Sequence, residues 1–162
     1  FNFQLIDAEN IPYPDDSFDV VIANGLLYLV PELEKTIKEI ARVIKPGGTL
    51  IASTSGSKYM KELEDLITEA DLPVRKSYTK YSFSLDNGKN LLSPYFSKIE
   101  LFRKGGSLLV TEAEPLADYV LSTNMNLIEE QIKTVRSYFD EYFKKNGQLE
   151  ITIDTGLFVA KK

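Results

Sequence analysis

Phe18-Asp19-Val20-Val21-Ile22-Ala23 is an apolar, β-branched run, and Thr49-Leu50-Ile51-Ala52-Ser53-Thr54 is a second. Between them Leu33, Ile37, Ile40, Ala41 and Ile44 recur at the spacing of one helical face. Pro31 suits the first helical position, Glu32 and Glu34 lie in the positive first turn, and Arg42 and Lys45 favour the negative end. Pro46-Gly47-Gly48 then stops the helix. Residues 18–54 therefore predict a strand–helix–strand unit with a right-handed crossover, and the near-continuous apolar first strand predicts a parallel sheet that buries it on both faces.

Working upstream, Phe1 to Ile6 is apolar and β-prone, and Pro12 and Pro14 make the following stretch a loop. Downstream, Ser57 is placed to cap a helix carrying Met60, Leu63, Ile67 and Ala70 and ended by Pro73, and Ser84 to cap a shorter one that breaks near Pro94. Ile99 to Arg103 and Leu108 to Thr111 flank Gly105-Gly106, which predicts a hairpin turn. Helices follow at about 113–122 and 126–146, the second with Ile128, Ile132, Val135, Phe139, Tyr142 and Phe143 on one face. Leu149 to Ala160 closes the chain as a strand in two parts around Thr155-Gly156. The fold class is α/β in one domain, as 162 residues suggest.

Composition narrows the chemistry. A net charge of −5 gives no cationic excess to displace counterions from phosphates, so a nucleic-acid partner is not expected. The chain has no Cys and no His, which excludes disulfides, thiolate or imidazole metal sites and any imidazole base. The apolar stretch from Val20 to Val30 is broken by Asn24 and Gly25 and is far shorter than the ~20 residues of a membrane helix. No membrane partner and a cytoplasmic location are the expectations, since the chain also lacks a secretory-type start.

The run Asp7-Ala8-Glu9-Asn10-Ile11-Pro12-Tyr13-Pro14-Asp15-Asp16-Ser17-Phe18-Asp19-Val20-Val21 resembles the middle of class I S-adenosylmethionine-dependent methyltransferases, where an acidic residue ends the third strand and a similar text enters the fourth. Ile40-Ala41-Arg42-Val43-Ile44-Lys45-Pro46-Gly47-Gly48-Thr49-Leu50 looks like the motif that leads into the family's fifth strand. Two linked motifs in order, over residues 3–55, make the resemblance specific; Phe83 to Tyr119 adds a weaker likeness. It implies a Rossmann-like methyltransferase sheet with flanking helices, lacking the first two strands, plus helical cap segments at about 57–85 and 107–147.

The resemblance also implies S-adenosylmethionine as cofactor, with S-adenosylhomocysteine as product and a small-molecule methyl acceptor. Asp7 and the Ala8 amide would contact adenine, Asn24 and Gly25 would lie beside the methionine portion, and Tyr28 would face the acceptor. Positions beyond the carboxyl ends of strands are where open α/β sheets bind ligands, and a carboxylate accepts from an exocyclic amine. Where relatives often carry His, this chain has Gly25 and Leu29, so no His-assisted proton transfer carries over and no catalytic base is assigned.

The family's glycine-rich turn after the first strand, and the acidic residue after the second, have no counterpart in these residues. A piece of a longer protein is the expectation; the alternatives are missing strands supplied by a symmetry partner and re-pairing of residues 1–6. On this basis the isolated chain is expected to bind cofactor too weakly for turnover. The exposed strand edges predict a homodimer if they pair. The competing function is a non-catalytic, methyltransferase-derived module that binds a partner or itself. A nucleotide-dependent oxidoreductase explains neither motif. The aromatic group Tyr78, Tyr81, Phe83, Tyr95 and Phe96 is read as packing.

Overall fold

The computed structural model describes residues 2–74, 82–124 and 126–162. Its elements are β1 (Phe18–Asn24), α1 (Leu33–Val43), β2 (Ile44–Ser55), α2 (Lys61–Glu69), α3 (Gly88–Leu92), β3 (Lys98–Val110), α4 (Ala113–Ser122), α5 (Glu129–Asn146) and β4 (Leu149–Lys161). The four strands form one sheet in the order β1-β2-β4-β3. The chain divides into two compact units: Phe1–Ser57, Tyr81–Lys104 and Asp154–Lys162 in the first, Lys58–Lys80 and Gly105–Ile153 in the second.

The first unit holds the strand–helix–strand crossover that the sequence predicts. β1 and β2 are parallel, with Val21 opposite Leu50, Ala23 opposite Ala52 and Asn24 opposite Ser53, and β4 runs antiparallel on the other side of β2. β2 is central, so Leu50 and Ala52 are sealed, while Ile37 and Ile40 of α1 close over one face. Phe83 and Phe158 meet edge to face at 5.6 Å in the same core. Phe96 is buried and Tyr95 partly so, consistent with packing; Tyr78 and Tyr81 lie outside the described residues.

Four expectations are corrected in this unit. Residues 2–6 form no strand: Phe3 and Leu5 are 95% and 101% exposed, because no neighbouring strand is there to accept their backbone. β1 is an edge strand and is not buried on both faces; Ala23 is inside, but Val20 and Ile22 are 50% and 66% exposed. The glycines after α1 do not form a separate stop. The helix ends at Val43 and β2 starts at Ile44, passing through Pro46 and Gly47 with a register shift against β1. Gly47 takes φ +76° there, and its N–H donates to the Lys162 carbonyl at 3.0 Å. Ser84 does not cap α3, whose N-cap is Asn87; the Ser84 N–H donates to the Asn87 side chain and its carbonyl accepts from Gly88.

The second unit buries Leu63 and Ile67 of α2, Val120 of α4, Val135 and Phe139 of α5, and Ile151 of β4. Its helices follow their predicted periodicity, although Ile128 at the start of the α5 stripe is 60% exposed. α5 stops at Gly147, whose φ of +79° directs its N–H to the Phe143 carbonyl at 2.8 Å. Ser57 does not cap α2, which begins only at Lys61 after Met60 in the left-handed region. The hairpin expected at Gly105-Gly106 is absent as well: β3 runs straight through from Lys98 to Val110. Neither glycine has a positive φ, which the tight hairpin turns require. β4 is likewise continuous through Thr155-Gly156. Its burial phase slips instead, with Leu149 and Ile151 inside in one stretch and Asp154, Phe158 and Ala160 inside in the next.

Candidate functional site at the carboxyl ends of β1 and β2

The parallel register that places Asn24 opposite Ser53 brings both to the carboxyl ends of their strands. The Ser53 hydroxyl donates to Asn24 Oδ1 and accepts the Gly25 N–H at 3.0 Å, so one side chain fixes two of the expected site residues. Gly25 turns the chain with φ +60°, a conformation that suits glycine. A Cβ on Gly25 would sit 3.5 Å from the Tyr28 hydroxyl, and Leu27, fully buried, anchors the turn.

A groove of about 340 Å³ opens here, lined by Gly25, Tyr28, Ser53, Thr54, Ser55, Thr155, Gly156 and Leu157. Thr54 is buried and donates its hydroxyl to the Phe83 carbonyl at 2.9 Å. Gly156 is needed for another reason: a Cβ there would lie 2.4 Å from the Phe102 carbonyl oxygen, so only glycine admits the β3 backbone.

Asp154, on the same strand, is buried and takes a bidentate hydrogen bond from Arg103 Nε and Nη2, both at 2.6 Å. Arg103 Nη1 reaches Asp86 at 3.4 Å, and Asp86 accepts the Ser57 N–H at 2.9 Å. The hydrogen bond to Asp154 raises the Arg103 pKa, and this guanidinium ties β3 to β4 and to the loop before α3. Gly56 fits only as glycine, since its Cβ would fall 2.1 Å from Asp154 Oδ2.

Of the expected residues, Gly25 and Tyr28 line the groove; Asn24 meets it only through Ser53, and Asp7 and Ala8 do not line it. The exposed Asp7 accepts the Glu9 N–H at 2.9 Å on Oδ1, and its carbonyl accepts from Asn10 at 3.1 Å, a self-bonded turn of the kind Asp favours. The loop is nevertheless fixed to α1. Glu9 accepts the Glu32 N–H at 3.0 Å, Glu39 accepts the Ile11 N–H at 3.1 Å, and Arg42 donates to the Ile11 and Tyr13 carbonyls at 2.9 and 2.8 Å. The Arg42 hydrogen bond holds the Glu39 carboxyl below its ordinary range against the opposing effect of burial.

Sequence reasoning misses Ser53 and the Arg103–Asp154 pair. Ser53-Thr54-Ser55 did carry a signal, hydroxyls gathered at the end of a central parallel strand; a contact between residues 51 positions apart had none. Among the described residues no cluster of acidic side chains suits a metal ion, and no helix is long and apolar enough to cross a membrane.

Residues 1–52 match the family model of a methyltransferase domain. The chain is 26% identical over 137 residues to the ubiquinone/menaquinone biosynthesis C-methyltransferase UbiE of Haemophilus ducreyi, covering 85% of this chain and 42% of that protein. It is 29% identical over 109 residues to the malonyl-[acyl-carrier protein] O-methyltransferase of Halorhodospira halophila, covering 67% of this chain and 36% of the relative. It thus spans less than half the length of either. The crystal structure of the YcgJ protein of Bacillus subtilis superposes with a TM-score of 0.62 at 18% identity, over 99% of this chain and 70% of that one, a likeness of fold.

Proposed function

We propose that this chain, whose sequence and fold are those of a class I S-adenosylmethionine-dependent methyltransferase domain, takes part in methyl transfer from that cofactor to a small-molecule acceptor. The observation that carries the reading is the Asn24–Ser53–Gly25 arrangement at the carboxyl ends of two parallel strands, beside a groove floored by hydroxyls and a glycine. S-adenosylmethionine, when bound, supplies a sulfonium methyl open to in-line attack.

The residues present suit that group. Gly25 presents backbone with no Cβ in the way, and Asn24 and Gly25 would hold the methionine portion, with Ser53 keeping both in place. Asp7 is exposed and would accept from the adenine amine, with the Ala8 N–H alongside, in a loop fixed to α1 through Glu9 and Glu39. Tyr28 would border the acceptor. Positioning supplies the catalysis in this reading, and well-oriented reactants gain up to ~7–11 kcal/mol that way. No base is assigned. The two relatives methylate carbon and oxygen acceptors respectively, so the acceptor atom stays open. The comparisons do not support a non-catalytic module, and the lack of a glycine-rich turn in these residues is not itself a sign of inactivity.

The test is backbone amide NMR with S-adenosylhomocysteine. Contacts worth ~0.5–1.5 kcal/mol each from these residues predict millimolar affinity, with shifts confined to residues 7–9, 24–28, 53–55 and 155–157. Ser53→Ala should weaken those shifts several-fold while leaving the fold intact. Shifts elsewhere, or none at millimolar ligand, would overturn the assignment.

A further inference from the structure

The second unit contains a separate pocket of about 400 Å³ that plays no part in the reading above. Met60, Leu116 and Ile151 form its buried wall, and Leu108, Leu109 and Tyr119 stand at its rim with 39–55% of their surface exposed. Glu112 is the one charged residue among those that line it. Two other crevices among the described residues of this unit differ in kind: one holds Glu130, Lys133 and Glu141, another Glu114, Arg136 and Asp140.

The wall is held in a fixed form. Met60 has φ +56°, an unfavourable backbone for a side chain of its size, and it persists because neighbouring bonds impose it. The Met60 N–H donates to the Thr152 carbonyl at 2.9 Å, and Glu62, two residues on, accepts the Thr152 N–H and hydroxyl at 2.8 and 2.6 Å. The Tyr119 hydroxyl lies 3.3 Å from the Met60 sulfur. A preformed, mostly apolar cavity within the ~300–1,000 Å³ of small-molecule sites, with a few polar groups at one end, is a ligand site in form.

We propose that this pocket binds a small, uncharged molecule with an aromatic or alicyclic body and a hydrogen-bond-donating group, of the phenol class. The apolar wall and rim take the ring body. Glu112 and Thr111 at the mouth accept from the donor, and the Glu112 carboxylate repels carboxylates and phosphates of the same shape. The rim residues lose their exposure when the pocket is filled. This inference does not depend on methyl transfer.

The experiment is a titration of the 162-residue protein with 2-naphthol, followed by its fluorescence, against 2-naphthoate as the anionic control. Saturable naphthol binding is expected, with naphthoate weaker by about tenfold and Glu112→Gln bringing the two within about threefold of each other. Leu109→Glu, at an exposed rim position, should abolish saturation; Leu116→Trp should do the same by filling the cavity. Circular dichroism confirms that each variant folds. Absence of saturable binding to the folded protein, or equal binding by Leu109→Glu, overturns the proposal. So does a dimer that Leu109→Glu dissociates without any naphthol binding, which would make the rim a self-interface.

Discussion

The groove of the first unit and the pocket of the second have similar volumes, about 340 and 400 Å³, and opposite chemistry. The first is built from hydroxyls, glycines and backbone at strand ends, placed by sheet register. The second is built from Met, Leu, Ile and Tyr side chains, placed by packing. Each unit also supports β4 with an acidic side chain, but differently: Asp154 is held by a bidentate guanidinium, Glu62 by the hydroxyl and N–H of Thr152. Register places polar groups at fixed points, and packing encloses a volume.

The comparison can be broken most sharply in the cores. Phe139→Ala in the second unit and Phe158→Ala in the first, both fully buried, should each cost about 3–5 kcal/mol in urea denaturation. Phe139→Ala should abolish naphthol binding and leave the S-adenosylhomocysteine shifts in the first unit; Phe158→Ala should do the reverse. If either variant removes both, the two sites are not separately built.

A smaller effect separates the two acidic supports. Arg103→Met removes the bidentate partner of Asp154, and should cost about 2–3 kcal/mol, less than for a fully buried pair because the guanidinium is 39% exposed. A thermal melt that moves by less than a degree would show that Asp154 is held by other contacts.

Glu62→Gln should cost about 1 kcal/mol at pH 7, since the amide cannot accept both Thr152 donors. Burial alone would push the Glu62 carboxyl up, but the two Thr152 hydrogen bonds, its own backbone N–H and the Lys61 charge together hold it below its ordinary 4.5. A depressed carboxyl stabilises the fold above its unfolded pKa, and that contribution disappears as pH falls through the lower folded value. The gap between the melting curves of the two proteins should therefore be full at neutral pH and shrink progressively as the pH falls below 4.5. A gap that widens on acidification would contradict the assignment.

Leu5→Ser is the smallest case. Leu5 is fully exposed, and the change should stay within about 0.5 kcal/mol in either direction. A larger loss in denaturation would mean that residues 2–6 pack in solution.

Leu5 and Val21 also show how far the sequence could be read. Both stand in apolar, β-prone runs, and nothing local distinguishes them; Val21 became strand because β2 lies beside it, and Leu5 did not because no strand does. The helices were legible since their periodicity is local, as α4 and α5 bear out, whereas the caps expected at Ser57 and Ser84 were not formed. The hairpin at Gly105-Gly106 misled because glycine permits a turn without requiring one. Of the residues that line the groove, Gly25 and Tyr28 were expected from motif and strand end. Ser53 became visible only through the pairing across the sheet.

By itself the sequence determined the α/β class, the β1–α1–β2 crossover and the methyltransferase resemblance, because these rest on periodicities and motifs within about 50 consecutive residues. Tertiary structure alone decided that β1 is an edge, that β3 and β4 run unbroken, that Arg103 meets Asp154, and that a second pocket forms around Met60. Those outcomes depend on which distant segments become neighbours, and a backbone's hydrogen-bonding partners are not written in its own residues.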